Sequence, residues 1–164
     1  MAVVAITGIL ATLGVVVVRK RVNAAKSNRA LAGMQAIRTA EEAFRAQNGR
    51  YLNCSIAPGP QWFPTGEPGK TVYDWRQPDH DDWKRWEALG VVRTAPTQYG
   101  FLVNAGLPGD AYPELYTTSD PTLPTATTDW YVIQAKGDLD GDGVFFQAVA
   151  TSTSAAVYTE RETE

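Results

Sequence analysis

Hydrophobic and polar positions divide this chain into three regimes. Met1–Val18 reads MAVVAITGILATLGVVVV and carries no charge, and Arg19-Lys20-Arg21 follows at once. As a helix, eighteen residues span roughly 27 Å, about the hydrocarbon thickness of a bilayer. From Val22 to Gln47 there is no proline, and Gly33 is the only glycine. Ala24, Leu31, Met34, Ile37, Ala40 and Phe44 recur mostly three or four apart, which is helical spacing. Arg38, Glu41, Glu42 and Arg45 are expected on the other faces. Gly49, in QNGRY, supplies the stop. The pattern predicts one rod over residues 1–48, roughly 70 Å long. Residues 1–22 form its apolar stem, and residues 23–50 its amphipathic half.

The third regime, residues 51–164, reads as a globular head. Prolines and glycines between Leu52 and Lys70 predict a long loop over 52–70. PDHDDWKRWEALG predicts a short helix over 80–90, capped by Asp79 or Asp81, with Trp83 and Trp86 turned inward and Gly90 ending it. Strands are expected at 98–103, 130–136 and 144–151, with Asp138–Gly143 as a hairpin between the last two. Pro108–Pro124 reads as a second loop, and the chain from Ser152 onward as a polar, fraying tail. The predicted fold class is α+β, with the amphipathic half of the long helix laid on an antiparallel sheet. Leu31, Met34, Ile37, Ala40 and Phe44 are the expected helix–sheet contacts.

Composition adds an asymmetry. Hydrophobic residues make up 44% of the 164-residue chain and charged residues 20%, an ordinary globular balance. Residues 1–50 carry eight Lys or Arg against Glu41 and Glu42, a charge of +6, and the remaining residues carry −9. Two oppositely charged halves favour association between copies, with Arg29 or Arg38 set against an acidic head as one pairing; a solvated basic helix is the plainer reading. Nucleic acid is disfavoured as a partner, because the cations follow a membrane-grade segment and the body is acidic.

Few residues carry chemistry. Asp138, Asp140 and Asp142 alternate in GDLDGDG, and Gly143 follows. This is the opening of a calcium loop, with the Val144 carbonyl as a further ligand, although the twelfth position is Val149 and not a bidentate glutamate. The other reading is a polar hairpin turn whose Asp and Gly tolerate left-handed geometry. His80 stands alone among aspartates, and a solvated helix start explains it better than a metal or a general base. Cys54, the only cysteine, excludes an internal disulfide and reads as a buried or loop thiol, a bridge between chains being the alternative. Five Trp and seven Tyr suit a core better than a glycan platform. With no Ser/His/Asp set, phosphate loop or CxxC, the sequence does not read as an enzyme.

MAVVAITGILATLGVVVV resembles the N-terminal stem of type IV pilins and of type II secretion pseudopilins, and NGRYL resembles the usual end of their long helix. WKRWEALGVV…TQYGFLV and WYVIQAKGDLDGDG resemble the heads of some members. The resemblance implies a structural subunit of an extracellular helical filament, held in the inner membrane before assembly and serving adhesion, motility or secretion. Its assembly residues would be Val4, Ile6, Gly8, Ile9, Leu10, Leu13, Gly14 and Val17, and its partners further copies of itself. The family's early glutamate and its stem proline have no counterpart here; Val15–Val18 stands at the place of the proline. The glutamate's role is therefore carried to no residue. A membrane-tethered module that binds a surface or a glycan without polymerising is the alternative.

Overall fold

The computed structural model describes residues 27–56, 61–91, 95–117 and 121–161. Helix α1 occupies residues 27–48, α2 is Trp83–Leu89, and the strands are β1 (Gly100–Gly106), β2 (Trp130–Gly137), β3 (Phe146–Thr151) and β4 (Val157–Glu160). The strands form one antiparallel meander in the order β1-β2-β3-β4. Gly100 pairs with Lys136 and Gly106 with Trp130, so the β2–β3 hairpin and the exit of β1 lie at opposite ends of the sheet.

This corrects the fold expected from the sequence. The apolar-to-amphipathic rod over 1–48 is not what is seen: α1 is a helix of 22 residues with a charged, exposed face. No helix among the described residues is long and apolar enough to cross a membrane. The stem 1–22 and its assembly residues Val4, Ile6, Gly8, Ile9, Leu10, Leu13, Gly14 and Val17 lie outside the described residues.

The buried positions of α1 are Ser27, Ala30, Met34, Ile37 and Glu41, spaced three or four apart on one stripe. Leu31, Ala40 and Phe44 flank them, half-buried against the same core. At the centre of the contact the Phe101 ring fits against Gly33, where any Cβ would come within 2.8 Å of the ring. The helix-period reading placed Glu41 on another face; it is fully buried instead. Its position on the stripe and a backbone donor, the Leu52 N–H at 2.9 Å, draw it in.

Alternation along the strands serves both sides of the sheet. Phe101, Val103, Tyr131, Ile133, Ala135, Phe146, Ala148 and Ala150 face the helix-side core. Phe63 stacks on Trp86 at 4.7 Å, and Trp75 stacks on Phe101 at 5.3 Å, completing that core. Trp130, Val132 and Val149 face the other way, under Tyr112, Leu115, Leu123 and Ala126 of the 107–127 loop. The free edge of β1 is covered: Cys54 and Ser55 donate to the Val103 carbonyl, and Phe63 exchanges both backbone bonds with Phe101.

Three local expectations change. Strand 98–103 starts at Gly100 and continues to Gly106, and strand 144–151 starts only at Phe146. Asp82 caps α2 without a side-chain cap bond; its carboxylate accepts instead from the Ile56 N–H, and neither Asp79 nor Asp81 takes the cap. The polar tail is no tail. Val157–Glu160 pairs with β3, and Arg38 holds the connecting turn by donating to the carbonyls of Thr151, Ser154 and Ala155. Its guanidinium is thus engaged within the fold and is not available to a neighbouring copy.

Candidate functional site

The β2–β3 hairpin brings Asp138, Asp140 and Asp142 together. Each offers one carboxylate oxygen, and these oxygens lie within 4.8 Å of one another. Gly141 and Gly143 adopt φ of 76° and 87°, the left-handed conformation that coils the loop back on itself. Asp138, nearly buried, accepts from the Gly141 N–H at 2.7 Å and from the Gly143 N–H at 3.1 Å. Asp140 accepts from the Asp142 N–H, and Asp142 from the Val144 N–H. The side chains thus build the turn by themselves, as short Asp side chains do.

Lys70 is the cation beside the loop: a Cβ on Gly141 would come within 2.8 Å of its Nζ. No described cation stands within ion-pair distance of any of the three carboxylates. The donor set, hard oxygens converging on a coiled loop, suits calcium in kind. It supplies three carboxylates, and the same oxygens already serve the turn, so its shape holds without an ion. Asp140 and Asp142 are exposed, and Val144 beside them presents an apolar side chain to solvent. The loop is therefore an anionic knob with an exposed apolar residue on its return arm.

At the far end of the sheet lies a groove of about 440 Å³ between the end of α1, the following chain and the exit of β1. Phe44, Leu52, Ile56 and Leu107 line it, with Arg50 and Arg85 on its rim. Ile56 and Leu107 are each about half exposed. Arg50 is exposed and has no carboxylate partner among the described residues, whereas Arg85 lies 3.7 Å from Asp82. Arg45 stands nearby, bonded to the Tyr51 hydroxyl with its guanidinium 4.8 Å from the centroid of that ring. The acids beside the groove are Glu41 and Asp82, which accept from the Leu52 and Ile56 N–H groups, Glu42, bonded to Tyr51, and Asp110, which accepts from the Leu107 N–H. A second cavity, of about 550 Å³, opens between α1 and Val72, Trp75 and Tyr99, with Arg29 at its edge.

His80 and Cys54 turn out to be structural. The Nδ1 of His80 accepts from the Asp82 N–H, which assigns the proton to Nε2, 3.3 Å from the Trp62 carbonyl. The ring also sits edge-on to Phe63. Cys54 is fully buried, out of reach of a second chain's thiol. Burial, and then the carboxylates of Glu41 and Asp82, push that thiol well above its ordinary range.

Sequence reasoning missed Glu41, the molecule's one strongly shifted carboxyl among the described residues. Burial raises it to about 7, against the lowering effect of its bond from Leu52. Its Oε1 is buried without a donor. A glutamate four residues from Ile37 and three from Phe44 was the available signal. No family model, no curated protein and no solved structure matches the chain.

Proposed function

We propose that the protein is a structural subunit of an extracellular helical filament, a pilus or pseudopilus, with the described domain as its head and residues 1–18 as its assembling segment. The observation that carries this reading is the attachment of α1. The helix that follows the uncharged segment in sequence is fastened to the head by Met34, Ile37 and Glu41 in the core and by Arg38 on the β3–β4 turn. A load applied to α1 would pass into the sheet through these contacts.

On this reading the membrane stores the segment before assembly. Moving it from lipid into a bundle of like segments keeps apolar surface out of water throughout. Gly8 and Gly14 let neighbouring backbones approach closely, as small residues do in membrane packing. A head-to-tail contact that does not close then yields a helical polymer.

Deleting residues 1–21 tests this. The expected product is a water-soluble monomer by sedimentation, while Gly8→Leu/Gly14→Leu stays in the membrane fraction and forms few filaments by electron microscopy. Filaments formed without residues 1–21 overturn the reading. A full chain that remains in the membrane and never polymerises favours instead the tethered binding module, with the cavity beside Arg29 as its first candidate surface.

A further inference from the structure

We infer that the aspartate loop of one copy docks in the arginine-rimmed groove of the next, so that heads join end to end along the strand direction; the contact rests on the filament reading for its setting. Three observations carry it. The first is position: the loop follows Gly137, whereas the groove includes the exit of β1 at Gly106 and Leu107, beside Trp130. Along β2 these ends stand roughly 23 Å apart, at 3.3 Å per residue. One molecule cannot satisfy its own groove, and a contact between different patches of two copies propagates without closing.

The second is charge. Asp138, Asp140 and Asp142 form no ion pair among the described residues, with the Lys70 ammonium beside Gly141 as the cation nearest the loop, and Arg50 has no carboxylate partner among the described residues. Arg85 and Arg45 extend the cationic rim, and Asp82, Glu42 and Asp110 offset it while staying bonded inside the fold, which leaves Arg50 as the cation without a carboxylate of its own. Opposite patches of this kind steer encounter and fix register more than they add affinity.

The third is shape. The loop carries Val144 on its return arm to β3, 37% exposed, and the groove carries Ile56 and Leu107, 49% and 51% exposed. An apolar residue beside the carboxylates would meet an apolar floor bordered by guanidinium groups. Both surfaces are exposed in the separate head, and each would cover the other in the docked pair.

The test places one cysteine in each patch of the full chain in membranes. In Ile56→Cys/Val144→Cys, oxidation should give a ladder of disulfide-linked dimers, trimers and higher species, because the two sites are too far apart to bridge within one copy. Either cysteine alone should stop at dimers. Arg50→Glu in the double-cysteine background should abolish the ladder, and so should Asp140→Lys/Asp142→Lys. Mixing those two variants should restore it, since each groove then faces a loop of opposite charge, and this rescue also shows that both variants fold. A ladder indifferent to these charges, or none in chains that do form filaments, overturns the contact and leaves the filament reading standing. A charge-dependent ladder in a chain that forms no filaments supports the contact and removes the filament.

Discussion

The two faces of the sheet are both dry, yet they are covered by different means. One lies under α1 and an aromatic layer built from Phe63, Trp75, Trp86 and Phe101. The other lies under an irregular segment, 107–127, that contributes Tyr112, Leu115, Leu123 and Ala126. Each face has a buried polar side chain that pins a loop. On the helix face Glu41 accepts from the Leu52 N–H and leaves its second oxygen without a donor. On the loop face Gln134 accepts from the Tyr116 N–H at 2.8 Å and donates to the Glu114 carbonyl at 3.0 Å.

The difference is instructive because the task is the same. A neutral amide can satisfy both its ends on a loop backbone and adds no charge to the core. A carboxyl in the same role is half satisfied, and its ionised form is expensive to bury. The helix face tolerates that expense because regular packing surrounds it. The loop face has no helix to organise it, and its backbone bonds to Gln134 do that instead.

The largest effect should come from charging the helix face. Ile37→Asp puts an unpaired carboxylate at a fully buried position and should cost on the order of 4 kcal/mol, enough to lose cooperative unfolding in a modest domain. Phe44→Asp, at a half-buried site, should cost less than half as much, because its carboxylate can turn to water. Equal losses in urea unfolding would break the distinction between the stripe's centre and its flank.

Glu41 should come next, and only in a defined pH range. The folded carboxyl keeps its proton to about pH 7, whereas an unfolded one releases it near its ordinary value of 4.5. Between those values the folded state binds the extra proton, so stability falls as pH rises and the loss is complete above pH 7. Glu41→Gln removes this dependence and should gain about 3 kcal/mol at pH 8 and almost nothing at pH 4. Parallel pH–stability curves for parent and variant would show that the buried carboxyl is not held protonated.

The smallest effect belongs to the loop face. Gln134→Ala strands the Tyr116 N–H and the Glu114 carbonyl and should cost about 2 kcal/mol. Hydrogen exchange should quicken at Tyr116 while the amides of α1 keep their protection. If both faces loosen together, they form one cooperative unit and the contrast between them fails.

Much of the architecture was legible because periodicity is a local property. The apolar spacing at Met34 and Ile37 marks the stripe that α1 buries, and WYVIQAK reads as a strand. The aspartate loop was visible as alternating Asp and Gly, which coil a chain with no help from elsewhere. β4 was not visible, because Val157–Glu160 alone is a short polar stretch. It becomes a strand only when β3 offers an edge and Arg38 ties down the turn between them.

The sequence by itself determined which segments have an apolar face and where the turns fall, since both follow from residues close together in the chain. Tertiary structure alone decided which polar groups went inside. Glu41 and Asp82 are buried because the backbone donors of Leu52 and Ile56, 11 and 26 residues away, happen to reach them there. It also decided that the unpaired carboxylates of the hairpin and the unpaired guanidinium of Arg50 stand at opposite ends of one sheet. Neither follows from spacing along the chain, because burial and electrostatic pairing depend on distances that exist only once the strands have registered.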